Sequence, residues 1–398
     1  MLEDVELVVV GCGPAGAEAA REAARSGVET LVLEKDAVVG AKRVCAGGLR
    51  PNFCETFDLP RELVHCDTPR LALFDARGCE HEVYFGPGHT TTREELDGTM
   101  ARLAAAAGAE IRTRALLRGV RREGGRALVE YADLLSGARK SVAARNVFFA
   151  HGATANLENE PDLRFAEWTN GLMTTLQYRV YLERPADPIA YQTLELHYYS
   201  ARDGRQIVAW MFPKRDHLAI GLGVTGKMTG ERLREELDAF AGRVRGRLYR
   251  GIPFTAKAEG HLLYGGLPRP QIAAEHLMVG GTAAGLVDAT NGEGIFEAAM
   301  SGRLAAEAVV ASRDRPCAAA VRYAARATQR FSGRLRNRVA LMRFLERRPQ
   351  RYGVLFEQLA RSPRLADILQ RENHERSSID RLYLYVQALR FAARAARA

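Results

Sequence analysis

Three glycines near the start of the chain carry the first chemical signal in this sequence. Gly11, Gly13 and Gly16 stand in the stretch LVVVGCGPAG at the spacing G-x-G-x-x-G. At this spacing the first glycine permits a tight turn, the second lets a pyrophosphate approach the backbone, and the third lets the next helix pack closely on the strand. Glu34 follows the next apolar segment, where an acid binds the ribose of a dinucleotide. These residues predict a dinucleotide site.

The residues around this motif predict the strands and the helix that position it. Residues 7–10 are apolar and predict a buried parallel strand. Residues 15–26 are rich in Ala and Glu and end before Gly27, which predicts a helix with a glycine cap. Residues 29–33 predict a second strand that ends at Glu34 and Lys35. The helix begins at Ala15, directly after Pro14, and free N–H groups and the positive end of the helix dipole at this N-terminus favour a phosphate.

A second chemical signal is the thiol of Cys45. It lies in the loop GAKRVCAGGL, followed by Ala46, Gly47 and Gly48. Such a loop has the flexibility to lie against a flat ring, and a thiol is mostly protonated at neutral pH, so that it can donate a proton. The alternative is a turn with an incidental cysteine.

Two helix starts have the composition of anion sites. Gly292, Gly294 and Ile295 open a helix predicted to run to about residue 312, and a glycine-rich helix N-terminus favours negative charge. Arg93 opens another predicted helix, residues 93–108, from which it can reach a cofactor phosphate or ring edge. The alternative for Arg93 is a surface pair with a neighbouring acid.

The middle of the chain has the pattern of an antiparallel sheet. Residues 174–182, 193–199, 207–212 and 217–224 alternate apolar and polar side chains. We expect one face of this sheet to cover a cofactor and the other to meet a substrate. A helix over residues 229–243 and an irregular stretch precede a strand at residues 276–280, which returns to the first domain.

Positive charge is concentrated at the C-terminus. The chain has a net charge of +9, whereas residues 329–398 alone contain 16 Arg, no Lys and 6 acids. Leu, Phe and Tyr stand between these arginines in a helical pattern. The segment is either a solvated helical face or a peripheral surface for an anionic membrane. No nucleic-acid reader motif accompanies the charge, so no nucleic-acid partner is expected.

The remaining composition excludes several classes of protein. The six cysteines include no C-x-x-C and fit no zinc spacing, so no metal site is predicted. The acidic N-terminus is not that of a signal peptide, and no apolar run has the roughly 20 residues of a membrane span. We expect a cytoplasmic protein, peripheral on the inner membrane face if the C-terminal segment binds lipid.

Taken together, the motifs resemble those of the FAD-dependent geranylgeranyl reductase family, which shares the p-hydroxybenzoate hydroxylase fold. The resemblance covers about residues 5–312. Its Y-x-W-x-F-P element is represented by Trp210, Phe212 and Pro213, and the following Lys214, Asp216 and His217 are most similar to the chlorophyll and bacteriochlorophyll branch. The other matching stretches are GCGPAG with Glu34, CAGGL, REELD and GTAAGLVDATNGEGIFEAAMSG.

The resemblance implies an α/β fold (α+β overall). A Rossmann-like FAD-binding domain, an inserted antiparallel-sheet substrate domain and a C-terminal helical region are expected. The predicted ranges are 1–65, 90–155 and 272–320 for the FAD domain, 66–89 and 156–271 for the substrate domain, and 321–398 for the helical region.

The resemblance also implies residue roles. FAD is the expected cofactor and NAD(P)H the expected reductant. The expected FAD-binding residues are Gly11, Gly13, Pro14, Ala15, Gly16, Glu34, Lys35, Cys45, Ala46, Gly47, Arg93, Thr282, Gly292, Gly294 and Ile295. The expected substrate contacts are Gly48, Trp210, Phe212 and Pro213.

Two positions depart from the family pattern. Thr282 stands where members usually have an aspartate that binds the ribityl chain, and it still offers a hydroxyl. His151 stands where an aspartate usually follows the buried strand, and an imidazole does not replace the two acceptor oxygens of a carboxylate.

The predicted function is reduction of C=C bonds in an isoprenoid chain. Adding hydrogen to such a bond needs a hydride, which no side chain supplies, and a proton on the adjacent carbon. Cys45 is the first candidate proton donor, ahead of Tyr178, Tyr191, Tyr198 and Tyr199. The alternatives are a flavin monooxygenase for an apolar substrate and a flavin-poor protein that binds prenyl lipids.

Overall fold

The computed structural model describes residues 3–41, 44–84, 88–154, 161–163, 171–226, 228–371 and 376–396. Its strands are β1 (Glu3–Val10), β2 (Thr30–Leu33), β3 (Gly48–Leu49), β4 (Cys66–Thr68), β5 (Arg70–Phe74), β6 (Glu80–Val83), β7 (Gly88–Thr90), β8 (Glu110–Arg112), β9 (Ala115–Glu123), β10 (Arg126–Asp133), β11 (Arg139–Phe149), β12 (Leu172–Leu182), β13 (Thr193–Ser200), β14 (Gln206–Pro213), β15 (Leu218–Thr225), β16 (Phe254–Tyr264), β17 (Ala273–Ala274) and β18 (Leu277–Val279). Its α-helices are α1 (Pro14–Arg25), α2 (Phe53–Thr56), α3 (Arg93–Ala106), α4 (Gly230–Leu248), α5 (Ile295–Val310), α6 (Cys317–Ala327), α7 (Gly333–Glu346), α8 (Gln350–Ala360), α9 (Pro363–Gln370) and α10 (Ser378–Ala395).

The N-terminal glycine motif follows the central strand of an eight-stranded sheet. Strand β1 pairs in parallel with β11 on one side and with β2 on the other. Four consecutive residues of β1, Leu7 to Val10, are buried, so both faces of the strand are covered. This burial explains an apolar run without alternation. Strands β18 and β8 extend the parallel part, and β9 and β10 add an antiparallel hairpin.

Helices α1 and α5 approach each other at backbone contact. A Cβ on Gly302 of α5 would lie 2.0 Å from the carbonyl oxygen of Ala15, and one on Gly16 would lie 1.8 Å from that of Gly11. Neither position has room for a side chain. Gly302 therefore places α5 against α1 as Gly16 places α1 against β1, and sequence reasoning had missed Gly302.

The second large sheet has seven strands in the order β16-β12-β15-β14-β13-β5-β6. Neighbouring strands are antiparallel except β13 and β5. Along β14, Ile207, Ala209 and Met211 pack in a core with α4, whereas Trp210 and Phe212 pack with the C-terminal helices. The expectation that one face covers a cofactor and the other meets a substrate is wrong, because the α4 side is closed by apolar packing.

Three expected element boundaries differ from the structure. The stretch expected to be irregular before residue 265 contains β16, an edge strand paired along its length with β12. Its exposed residues leave little apolar alternation to recognise. Residues 66–89 divide between two sheets, since β4 and β7 join β3 while β5 and β6 join the seven-stranded sheet. Helix α4 continues to Leu248 instead of ending at residue 243.

The predicted fold class is confirmed. A Rossmann-like parallel sheet, a second and mostly antiparallel sheet, and a C-terminal set of helices make up the described chain. No helix within these described ranges has both the length and the apolar content to cross a bilayer.

We expect Gly302→Ala to lower the stability of the protein. The added Cβ would overlap the α1 backbone, and overpacking of this kind costs about 1–3 kcal/mol. Gly242→Ala in α4 is the matched control, because a Cβ there meets nothing within 4 Å. Replacing this helical glycine should stabilise the protein by about 1 kcal/mol. Thermal and denaturant unfolding of both variants measure the difference, and equal midpoints for the two would contradict the packing argument.

Candidate active site

A cavity of about 1560 Å³ connects the first sheet, the second sheet and the C-terminal helices. This volume exceeds the roughly 300–1,000 Å³ of a site for one drug-sized molecule. Its wall is polar and glycine-rich at the N-terminal turn and apolar along β14, α7 and α8. The cavity is therefore large enough for a dinucleotide beside a second, apolar ligand.

The glycine turn forms one end of the cavity. Gly11 has a φ of 94°, and a Cβ there would lie 2.7 Å from the carbonyl oxygen of Ala150. Gly13, Pro14 and Ala15 line the cavity, whereas Gly16 lies beneath them against Gly11. Helix α1 has no acidic residue in its first turn and no side-chain cap. Its first N–H groups are therefore available to an anion in the cavity.

Glu34 lies beside this turn at the end of β2. Its two carboxylate oxygens accept hydrogen bonds from the backbone N–H groups of Cys12, at 2.8 Å, and Asp36, at 2.9 Å. These bonds fix the orientation of the carboxylate, and each oxygen keeps acceptor capacity for a ligand hydroxyl. Lys35 is exposed at the cavity rim.

Arg93 begins α3 and lies against the glycine turn. Its Nε and one terminal nitrogen donate to both oxygens of Asp97, at 2.8 and 2.6 Å. A Cβ on Gly13 would lie 3.4 Å from the Arg93 guanidinium. Burial acts to lower the pKa of Arg93, but the Asp97 pair outweighs it and raises that pKa above its ordinary value. Arg93 thus pairs with an acid, as the alternative interpretation expected, but in the cavity wall and not on the surface.

The Cys45 loop lies between Thr91, which follows β7, and Phe212 of β14. The Cys45 sulfur accepts from the N–H of Gly47 at 3.3 Å, and the Gly47 carbonyl accepts from the N–H of Thr91 at 2.9 Å. A Cβ on Gly47 would lie 2.1 Å from the Thr91 oxygen, and one on Gly48 would lie 2.7 Å from the Phe212 ring. Cys45, Gly47 and Gly48 line the cavity, as does Ala46 between them.

The second glycine segment lies across the cavity. Gly292 has a φ of 75°, Gly294 is the N-cap residue of α5 without a side-chain cap, and Ile295 is the first residue of the helix. Thr282 is half-buried and lines the cavity together with these three residues.

A buried ion cluster supports this segment from below. The Arg50 guanidinium bonds Glu293 and also Glu297, the latter at 2.5 Å. Arg334 of α7 reaches the same Glu297, whose side chain is 0% exposed. Because an unpaired buried carboxylate is very costly, Glu297 depends on both arginines.

The C-terminal arginines that enter the cavity wall were missed by sequence reasoning. Arg330, Arg334 and Arg338 line the cavity, and Arg338 pairs with the buried Asp288 at 3.1 Å. The segment had been interpreted only as a solvated or membrane-facing surface. Their four-residue spacing, which places them on one helical face, was the available signal.

Trp210 and Phe212 form the apolar part of the wall. Trp210 lies over Gly221, where a Cβ would be 2.4 Å from the indole, and its Nε1 donates to Gln177 at 3.0 Å. Pro213 lies outside the wall, and its carbonyl accepts from the Thr90 hydroxyl at 2.6 Å. The C-terminal helices complete the apolar lining with Leu341, Leu345, Tyr352, Leu355, Phe356 and Leu359.

Of the four tyrosines proposed as weaker proton donors, only Tyr198 lines the cavity. Its hydroxyl donates to the Thr290 carbonyl at 2.9 Å, and burial raises the pKa of Tyr198. Tyr178 instead donates to Asp238 on the α4 side at 2.7 Å, and the Tyr191 hydroxyl accepts from the N–H of Ala186. Tyr199 packs against Arg243, also on α4.

His151 has two covered ring nitrogens that no described residue satisfies. It lines the cavity directly behind the glycine turn, where its Cα is 3.0 Å from the position of a Cβ on Gly11. Burial, with a smaller contribution from Arg269, lowers the pKa of His151 to about 4, so the ring is neutral at physiological pH. Such polar atoms in a cavity wall are free to bond polar groups of a ligand or water.

These residues fit the cofactor that the motifs imply. The open N-terminus of α1, the oriented Glu34 carboxylate and the unpartnered His151 ring lie around one end of the cavity. They suit the phosphates and hydroxyls of FAD, and the close-packed Cys45 loop offers backbone for a flat ring.

Comparison with known proteins supports this interpretation. A family model described as FAD dependent oxidoreductase matches residues 6–148. The chain is 27% identical over 311 residues to a geranylgeranyl diphosphate reductase of Rhodobacter capsulatus, covering 77% of this chain and 75% of that protein. It is 28% identical over 315 residues to digeranylgeranylglycerophospholipid reductase 1 of Methanopyrus kandleri, covering 77% and 80%.

A solved structure from Thermoplasma acidophilum, described as geranylgeranyl bacteriochlorophyll reductase-like, has the same fold. It superposes with a TM-score of 0.72 at 22% identity, over 96% of both chains. With the sequence relatives, this agreement confirms the resemblance that the motifs carry. The chain is an FAD-dependent oxidoreductase related to the geranylgeranyl reductases.

Proposed function

We propose that this protein saturates C=C bonds of an isoprenoid chain, with FAD as the hydride carrier and NAD(P)H as its reductant. The observation that carries the proposal is the single cavity that joins the glycine turn to an apolar arm through the Cys45 loop. A dinucleotide and an apolar chain in this cavity would meet beside that loop. The sequence relatives named as geranylgeranyl and digeranylgeranyl reductases support the same substrate class.

The polar end of the cavity would hold FAD. The α1 N-terminus with Gly13, Pro14 and Ala15 suits the pyrophosphate, and Glu34 suits the adenosine ribose. Arg93, Thr282 and the segment from Gly292 to Ile295 line the remaining path to the Cys45 loop. When bound, FAD supplies the hydride that side chains lack.

The apolar end would hold the isoprenoid chain. Trp210 and Phe212 form one side and the leucines of α7 and α8 the other, so the chain would contact apolar side chains on both sides. Gly48 lets Phe212 approach the loop closely. Cys45 lies where the two ends meet, and its thiol is the proton donor that we assign to the carbon next to the one that receives hydride.

The test is reduction of geranylgeranyl diphosphate by the FAD-loaded, dithionite-reduced enzyme. Mass spectrometry should show products heavier by about 2 Da for each bond reduced, without oxygen uptake. We expect Cys45→Ala to lower the rate by about 10²–10⁴-fold, because a positioned acid contributes that much. Cys79→Ala is the control, since Cys79 is an exposed cysteine outside the cavity wall.

Two results would contradict the proposal. An oxygen-dependent, hydroxylated product would identify a monooxygenase instead. A chain that purifies without flavin and binds none when FAD is added would favour the lipid-binding alternative. Undiminished reduction by the Cys45→Ala variant would remove Cys45 as the donor and leave the reductase intact.

His151 provides a test of the cofactor site that does not depend on turnover. If its ring nitrogens bind FAD, His151→Ala should weaken FAD affinity by about 10-fold, the value of one to two net hydrogen bonds. Quenching of flavin fluorescence on titration into deflavinated protein measures this change. His81→Ala is the control, because His81 is also half-buried but lies outside the cavity wall. Equal losses in both variants would indicate a general structural effect.

A membrane surface is the partner that we propose for α10. This helix exposes an apolar stripe, with 64% of Leu382, 63% of Tyr385 and 54% of Leu389 accessible, and it also carries arginines. Such a helix is typical of membrane interfaces with anionic lipids. The cavity wall extends to Leu369 and Arg371, at the end of α9, so a lipid-borne chain would have a short path inside.

Replacing Leu382 and Leu389 together by Asp should reduce binding to anionic vesicles at least 10-fold in co-sedimentation. The change removes apolar area and adds charge that anionic lipids repel. Leu135→Asp is the control, because Leu135 is 78% exposed in the turn between β10 and β11, away from α10. Unchanged binding of the double variant would refute the role of α10.

A further inference from the structure

Lys214 is a buried cation that the proposed function leaves unused. It directly follows Pro213, the last residue of β14, and is 1% exposed. Its ammonium donates to the carbonyl of Ala46, and no described carboxylate pairs with it. Burying an ammonium without a carboxylate is costly, so a residue in this position needs a reason beyond packing.

Lys214 and the Cys45 thiol are bound to the same short loop. The ammonium holds the carbonyl of Ala46, and the sulfur accepts from the N–H of Gly47. A Cβ on Gly47 would lie 3.0 Å from the Lys214 nitrogen, which shows how closely the side chain follows the loop. Lys214 itself is not part of the cavity wall, so it reaches a ligand only through this loop.

The charges around Lys214 leave it able to titrate. Burial lowers the pKa of Lys214 to about 7, negative charge on Cys45 or Cys66 opposes that shift, and Arg179 adds to it. Burial lowers the pKa values of His65 and His217, and the nearby ammonium adds a smaller effect in the same direction.

Arg93 and Cys66 lie near Lys214 and Cys45 but do not share their properties. Arg93 is the other cation that interacts with Cys45, but its pKa is raised, so it is a permanent charge. Cys66 is the other thiol near Lys214, but it lies outside the cavity wall and burial raises its pKa. Cys45 is the thiol that both borders the cavity and interacts with the lysine.

We propose that Lys214 is a positioning residue that holds the Cys45 loop and returns a proton to the Cys45 sulfur. The inference rests on the proposed role of Cys45. After the thiol has given its proton to the substrate carbon, an N–H bond of the ammonium breaks, one bridging water relays the proton, and an S–H bond forms. Neither residue is oxidised or reduced in this step. The neutral amine regains a proton from water between turnovers.

The test is the reactivity of Cys45 in the FAD-loaded protein without substrate. Alkylation by iodoacetamide is followed at each cysteine by mass spectrometry between pH 6 and pH 9.5. Only the thiolate reacts, and a nearby ammonium favours the thiolate. We therefore expect Lys214→Met to slow alkylation of Cys45 at pH 6.5, where Lys214 is mostly an ammonium, by at least fivefold and to leave the exposed Cys79 unchanged.

Two further variants separate charge from proton supply. Lys257→Met, the same change at an exposed position on β16, should leave Cys45 reactivity as in the wild type. Lys214→Arg keeps a positive charge that does not titrate, so it should restore alkylation of Cys45 but not the rate of multiple turnovers. A Cys45 profile that is the same with Lys, Met and Arg at position 214 would overturn the proposal.

Stability of Lys214→Met provides an independent reading. Because burial lowers the pKa of Lys214 below its unfolded value, the unfolded chain binds the extra proton between about pH 7 and pH 10, and wild-type stability rises with pH in that range. The variant lacks this penalty, so its Tm should exceed that of the wild type at pH 6 and the difference should shrink towards pH 10. A lower Tm at pH 6 would contradict a destabilising buried ammonium. Cys45 alkylation and the Tm do not require isoprenoid reduction, so these two readings fail separately from the proposed function.

Discussion

The tight contact of the Cys45 loop with Thr91 and Phe212 is the constraint on which the site depends. Gly47 lies against the Thr91 carbonyl on one side and near Lys214 on the other, and Gly48 lies under the Phe212 ring. A Cβ at Gly47 would overlap the Thr91 carbonyl and one at Gly48 would overlap the Phe212 ring, so the loop would be displaced from its place between them. The cavity would then no longer bring a cofactor and an apolar chain to one point.

The C-terminal region has more than one physical role. Arg334 and Arg338 of α7 pair with the buried acids Glu297 and Asp288, so α7 contributes to holding the segment that opens α5. Its last helix keeps an exposed apolar stripe. One segment therefore closes the cavity at one end and offers a surface at the other, although its composition looks uniform.

The position of Lys214 shows how a site can use an unfavourable group. Ordinary packing would place an apolar side chain behind the Cys45 loop, as Phe212 does in front of it. An ammonium there carries a desolvation cost that burial imposes and one carbonyl reduces only in part. That cost lowers the pKa of Lys214 into the neutral range. In the proposed role, a pKa in this range lets the lysine pass a proton to a neighbouring thiolate.

The local chemistry of this protein was determined by the sequence alone. One short stretch of the chain contains Gly11, Gly13 and Gly16 at their spacing, the apolar run before them and Glu34 after β2. That stretch therefore specifies these features without the rest of the chain. Only the tertiary structure decided the contacts between residues far apart in the sequence. These are His151 behind the glycine turn, Gly302 against Ala15, Arg334 on Glu297 and Lys214 on Ala46. Such pairings depend on how sheets and helices dock, and no local period or propensity carries that information.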